Sequence, residues 1–282
     1  YFKIRIMKRI LVPVDFSIQA EYAAKVASSI AKKTNAKIFL LHMLELPSGV
    51  VDPSNFGNSS NTPSSLLFLK RAYDRFEEFK ELPFLEGIEV ETKVQFHKAY
   101  DGIIDESKAQ GADLIVMGSQ GTSGLEEMLI GSNTEKVVRN SEIPVLVIKQ
   151  DVEDFKMENI VFASNFKMNN QLAFQKILNF ATLFNAKLHL LKINTIHNFE
   201  TTKASSEAIR SFIEGHDLGD YTLNIYNDIS VEAGILNFTK LIEADVIILN
   251  THGRRGLAHL FNGSIGEDLA NHAKLPVITF KL

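Results

Sequence analysis

The chain has 282 residues, 45% hydrophobic and 23% charged, with a formal net charge of -4. That length suits two ordinary domains with substantial cores. The lack of a basic excess, or of any run of five Lys/Arg, argues against nucleic acid or an anionic membrane as the main partner. No cysteine is present, which excludes disulfides and thiolate catalysis and fits a reducing cytoplasm.

No apolar run approaches the ~18 residues of a transmembrane helix. The opening Tyr1-Phe-Lys-Ile-Arg-Ile6 is too short and too charged for a signal peptide. Met7-Lys-Arg-Ile-Leu reads equally well as a natural start, which would make residues 1–6 a start-site artefact.

In chain order, Ile10-Leu-Val-Pro-Val14 is a short apolar strand that ends at Asp15-Phe-Ser17. From Ala20 to Lys33, apolar residues recur at helical spacing, and Asn35-Ala-Lys turns the chain into a second strand, Ile38-Phe-Leu-Leu-His42. Residues 47–65 carry three prolines among Ser, Asn and Gly, the composition of a long mobile loop. Residues 66–80 read as a helix, 88–96 as a strand, 100–110 as a helix and 114–117 as a strand. Beyond a glycine-rich segment and a helical pattern, Ile143-Pro-Val-Leu-Val-Ile148 supplies a fifth strand. Such alternation argues for a parallel sheet covered by helices on both faces. Ligands of these sheets sit beyond the carboxyl ends of the strands, where the strand order reverses.

The second half repeats the first. Asn159-Ile-Val-Phe-Ala-Ser-Asn165-Phe matches the first strand, and Asn185-Ala-Lys-Leu-His-Leu-Leu191 matches Asn35-Ala-Lys-Ile-Phe-Leu-Leu41. Ala244-Asp-Val-Ile-Ile-Leu matches Ala112-Asp-Leu-Ile-Val-Met, and Pro276-Val-Ile matches Pro144-Val-Leu. The fold expected is α/β: two tandem copies of a five-stranded unit, spanning 7–150 and 157–282 and joined near residues 150–158.

The most informative stretch is Gly118-x2-Gly121-x9-Gly131-Ser132, lying between the fourth strand and a helix. Strand, glycine loop and helix N-terminus place free N–H groups at one point, which suits an anion such as phosphate. Gly118 and Gly121 would let the backbone approach a ligand without a Cβ in the way. Leu125, Met128 and Leu129 recur at i, i+3, i+4 and read as a packed turn. Ser132-Asn-Thr-Glu135 also fits a capping box, as does Ser264-Ile-Gly-Glu267. Ser132 therefore has a capping role open to it beside a ligand role. Asp15 likewise reads either as a strand-end or N-cap residue, or as a carboxylate accepting from the exocyclic amine of a base.

With Val12-Pro-Val-Asp15-Phe-Ser, Leu41-His-Met43, Met117-Gly-Ser-Gln-Gly121 and Gly131-Ser-Asn-Thr-Glu-Lys-Val-Val, the chain resembles the universal stress protein family in its tandem two-domain form. The resemblance implies a 3-2-1-4-5 strand order in each half and ATP or AMP, with or without Mg, in the first. It places Asp15 and the Met43 main chain at adenine, and Gly118, Ser119 and Gly121 along ribose and phosphates. Gly131, Ser132 and Asn133 fall at the phosphates. It also implies pairing of fifth strands, here Val145–Lys149 with Val277–Lys281 inside one molecule, or in a homodimer.

The second half departs from the pattern with Asn165 for the aspartate and Asn250 for the first glycine. It carries Arg254 where the first loop has Thr122, and the first loop has Glu126 and Glu127. Spacing favours the first site and charge favours the second. A side chain in the ribose path excludes ligand while exposed charges only tune affinity, so ligand is expected in the first half, with weak or absent binding in the second.

Nothing in the sequence supports an enzyme. No Walker lysine follows the glycines, no G-x-S-x-G elbow occurs, and the histidines lack metal-site spacing. His252 and His259, seven apart across the second loop, make a weak zinc signal. Three functions remain open: a nucleotide-binding stress regulator, a slow ATPase in the same pocket, and an interaction scaffold without nucleotide.

Overall fold

The computed structural model describes residues 7–44, 62–96, 98–120, 130–166, 171–251 and 275–281. In the first half, β1 (Arg9–Pro13), α1 (Ile18–Thr34), β2 (Lys37–Leu44), α2 (Thr62–Lys80) and β3 (Val90–Phe96) are followed by α3 (Ala99–Ala109), β4 (Leu114–Gly118), α4 (Ser132–Asn140) and β5 (Val145–Ile148). The second half contributes β6 (Asn159–Ala163), α5 (Gln171–Phe184), β7 (Lys187–Asn194), α6 (Thr202–Ile213), β8 (Tyr221–Asn227), α7 (Val231–Leu241), β9 (Val246–Thr251) and β10 (Val277–Lys281).

All ten strands lie in one sheet, in the order β3-β2-β1-β4-β5-β10-β9-β6-β7-β8. The first half therefore has the 3-2-1-4-5 order, and the second half repeats it outward from the seam. Each half is parallel within itself. At the seam β5 and β10 run antiparallel, with Val277 opposite Val147 and Thr279 opposite Val145.

Local sequence explains the elements. Ser17 caps α1 by accepting from the Ala20 N–H, and Asn35 ends it in the left-handed region at φ 57, a conformation Asn tolerates better than most residues. Asn185 does the same after α5, at φ 52. The buried stripe of α1 is mostly alanine (Ala20, Ala23, Ala24, Ala27, Ala31), so the helix axis sits close to the sheet.

One helix starts earlier than its composition suggests. α2 begins at Thr62, so 62–65 belong to it rather than to the expected 47–65 loop. Pro63 falls in its first turn, where a missing N–H breaks no intrahelical bond. Residues 45–61 lie outside the described residues.

Strand alternation divides the core into two layers. Ile10, Val12, Ile38 and Leu40 face α1 and α2, and this layer runs unbroken into the second half through Phe162, Phe174, Phe212 and Phe280. Leu11, Phe39, Leu41, Ile115 and Met117 face α3 and α4 on the other side. In the second half α7 covers Val161, Leu191 and Ile247 on that same side.

Candidate functional site

The chain leaves β1 toward β2 on one side and leaves β4 toward β5 on the other. β1 and β4 are adjacent, with Ile10 opposite Leu114, so a crevice opens between their carboxyl ends. A cleft of about 250 Å³ fills it, and Asp15, Met43, Gly118, Gly131, Ser132 and Asn133 all line it. The structure thus brings these expected residues to one place.

Ser119 does not line the cleft. It is buried, and its main chain ties the loop ends together: its N–H donates to Ile148 and its carbonyl accepts from the Gly131 N–H at 2.7 Å. Gly121 lies outside the described residues, as do Leu125, Met128, Leu129, Thr122, Glu126 and Glu127.

Other residues also line the cleft, of which Ala99 and Ile103 carried no sequence signal. Ala99 and Ile103 of α3, with Leu41 and Met117, give the cleft an apolar wall, and Gln120 and Thr134 add polar groups. Thr134 is buried and donates its hydroxyl to the Gly118 carbonyl at 3.0 Å, which fixes the start of α4 against the end of β4.

Two capping readings are corrected. Ser17, not Asp15, caps α1; Asp15 instead accepts at Oδ1 from the Ser17 N–H (3.1 Å) and hydroxyl (2.5 Å). At α4 the N-cap is Gly131, with no side-chain cap, so Ser132 is not the head of a capping box. The helix begins one residue earlier than that box requires, because the Gly131 carbonyl already accepts from the Glu135 N–H at 3.0 Å. The Glu135 side chain turns the other way and pairs with Arg139 one turn on. Ser132 and Asn133 therefore stand in the first turn of α4, beside N–H groups that lack intrahelical partners.

Gly118 needs a different explanation from the one its motif suggests. A Cβ on it would meet the main chain of Gln19 at 2.9 Å, so the missing side chain makes room for α1. Among the described lining residues Asp15 is the one ionisable side chain, and none is Lys or Arg. Any anion held here would rely on main-chain N–H groups, the α4 dipole and the neutral Ser132, Asn133 and Gln120.

In the second half Asn250 replaces Gly118 at the end of β9, opposite Phe280 of β10. Its side-chain oxygen and nitrogen are both buried without a hydrogen-bond partner. Gly253, Arg254, Gly256, Gly263 and Ser264, with His252 and His259, lie outside the described residues. Among the described residues no three His, Asp or Glu converge as a metal site, and no helix is long and apolar enough to cross a membrane.

An open α/β sheet with a crevice at its switch point defines a broad class; comparison with known proteins narrows it. The universal stress protein family model matches residues 7–149 and 227–281, and the chain belongs to that family. A universal stress protein of Methanocaldococcus jannaschii is 31% identical over 143 residues, which is 51% of this chain and 82% of that one. A putative universal stress protein of Staphylococcus saprophyticus is 31% identical over 172 residues, 58% of this chain and 96% of its own. The crystal structure of a universal stress protein from Archaeoglobus fulgidus superposes with a TM-score of 0.69, covering 99% of this chain and 98% of that one. At 20% identity, that likeness shows the fold.

Proposed function

We propose that the crevice of the first half binds an adenine nucleotide, ATP or AMP, and that the protein works as a nucleotide-responsive stress regulator. The observation that carries this reading is the convergence of Asp15, Met43, Gly118, Gly131, Ser132 and Asn133 on one cleft. The Asp15 carboxylate offers an acceptor for an exocyclic amine at one wall, and the first turn of α4 offers N–H donors for phosphate at the other. Between them, Leu41, Met117 and Ile103 present an apolar surface suited to a base. Ser119 would act through its main chain, and Gly121 within the same loop. Mg, where present, would enter with the triphosphate, whose charge the described lining residues do not offset with a cation.

Asp15 is the single ionisable group among those lining residues, which favours binding over hydrolysis. We further propose that 7–150 and 157–282 act as two domains paired through β5 and β10, and that the second binds nucleotide weakly or not at all. Asn250 supports this, since it puts a buried side chain with no hydrogen-bond partner where the first half has Gly118. The cysteine-free composition fits a cytoplasmic location.

The test is direct. Acid denaturation of the purified chain should release adenine nucleotide, or equilibrium dialysis should show saturable AMP or ATP binding near one per chain. Absence of both would leave an interaction scaffold.

A further inference from the structure

The main chain on either side of Asp15 is held by two side chains that stand behind the cleft wall. His42, near the end of β2, places Nδ1 2.7 Å from the Val14 carbonyl. A carbonyl only accepts, so Nδ1 carries the proton and donates, fixing the peptide that joins Val14 to Asp15. Arg75 of α2 sets its guanidinium 5.0 Å from the centre of the Phe16 ring. It also donates through Nη2 to the Phe16 carbonyl at 3.4 Å, fixing the peptide that joins Phe16 to Ser17. The N–H of that second peptide is the one that donates to Asp15 Oδ1.

Between these two peptides Phe16 has φ 62, a left-handed conformation that is rare for a bulky side chain and persists only where its surroundings over-determine it. Its ring packs 4.7 Å from His42 and 5.3 Å from Phe76 of α2.

We infer that His42 and Arg75 are positioning residues for the cleft: by pinning the two peptides that flank Asp15 and Phe16, they hold the Asp15 carboxylate where it lines the site. The second half supplies an internal comparison. Phe166 is also left-handed, at φ 54, and packs on Phe162 and Phe212, so the turn itself belongs to the fold. The match of Leu41 with Leu191 puts Lys192 at the position of His42, and the match of Phe76 with Phe212, each packed on the left-handed phenylalanine of its half, puts Ser211 at that of Arg75. Lys192 is engaged by Glu200 at 2.5 Å. Neither of these two described positions carries the imidazole or the guanidinium that flanks Asp15 in the first half.

His42 also makes the clamp sensitive to pH. Burial, foremost, pushes its pKa below the ordinary 6.5; the Val14 carbonyl and Asp15 oppose that push, and Arg75 adds to it. Asp15 and Arg75 are the charged groups that face it. A group with a lowered folded pKa contributes stability that is intact above its ordinary value and is lost as pH falls through the folded value.

The test uses the full chain with Arg75→Ala, Arg75→Lys and His42→Gln. One readout needs no ligand: hydrogen exchange at the Ser17 amide. The other, AMP affinity against pH, rests on the nucleotide reading. Arg75→Ala should speed Ser17 exchange and weaken AMP by about fivefold, the factor one exposed cation–π contact or hydrogen bond of ordinary strength supplies. It should also move the acid limb of AMP binding to higher pH, because Arg75 no longer opposes protonation of His42. Arg75→Lys should restore part of both, and His42→Gln should flatten the acid limb. Should Arg75→Ala leave Ser17 exchange and AMP affinity at wild-type values, the inference is overturned while the nucleotide reading stands. If Ser17 exchange responds but wild-type protein binds no nucleotide, the positioning role holds and the nucleotide reading fails.

Discussion

Gly118, at the end of β4, stands against the main chain of Gln19 in α1: a Cβ added to it would lie 2.9 Å from both the Gln19 Cβ and the Gln19 carbonyl oxygen. The neighbour is mostly backbone, which cannot swing aside. Gly118→Ala should therefore lower stability by about 1–3 kcal/mol, the usual penalty for overpacking, in the absence of any ligand. Urea unfolding of the two proteins measures it. Gly118→Asn should be worse still, so it reports on packing before it reports on a ligand. Asp15 is the cleaner site to vary.

Phe212 of α6 is fully buried and meets the rings of Phe166 and Phe174 at 5.4 and 4.8 Å. Removing it empties the centre of the second half's aromatic layer. Phe212→Ala should cost about 3–5 kcal/mol, the range for truncating a buried aromatic. Phe212→Leu should cost well under half of that. Chemical denaturation monitored by far-UV circular dichroism distinguishes the two.

Burial pushes the Lys149 ammonium from an ordinary 10.5 down to about 8. Between those values the unfolded chain holds a proton that the folded chain has released, so this group makes stability rise with pH across that window. Below about 8 the lysine is charged in both states and its burial opposes folding. Lys149→Met should raise the urea midpoint at pH 7 and shrink the gain between pH 8 and 10. Midpoints taken at both pH values for both proteins check the sign.

Glu106 of α3 is buried, with its carboxylate held by the Lys93 ammonium at 2.8 and 2.9 Å and by the Gln110 amide at 2.7 Å. Burial alone would raise its pKa; the hydrogen bonds from Lys93 and Gln110 outweigh it and leave the group below 4.5. Lys93→Met leaves that carboxylate buried with one partner fewer, and should destabilise by roughly 2 kcal/mol at pH 7. Because the folded pKa is lowered, the contribution is intact above 4.5 and lost as pH falls through the folded value. The difference between the two proteins should therefore narrow toward pH 3 in urea titrations.

Much of this was legible in the sequence because it rests on short-range patterns. The apolar run Ile10-Leu-Val alternates between the two layers and the alanine stripe of α1 faces one of them, and a single chain shows both patterns. The repeat was readable for the same reason, from Asn35-Ala-Lys and Asn185-Ala-Lys, each marking a left-handed helix end. Less was legible where the cause lies across space. Gly118 looks like room for a ligand until Gln19 is seen facing it. Ser132-Asn-Thr-Glu135 has capping-box spacing, yet the hydrogen bond from Glu135 to the Gly131 carbonyl moves the helix start. His42 and Arg75 belong to different elements and share no motif, and only the fold brings them to the same turn. Ala99 and Ile103 line the cleft because α3 crosses to β4, which no local pattern announces.

Isothermal calorimetry of AMP and ATP, with and without Mg, against wild-type protein and Asp15→Ala tests the central claim most directly. Saturable binding near one site per chain should be weakened at least tenfold in Asp15→Ala, as expected when a charge-assisted hydrogen bond is lost at a partly buried site. Binding of equal strength in the two proteins, or no heat of binding from either nucleotide to wild-type protein, would contradict it.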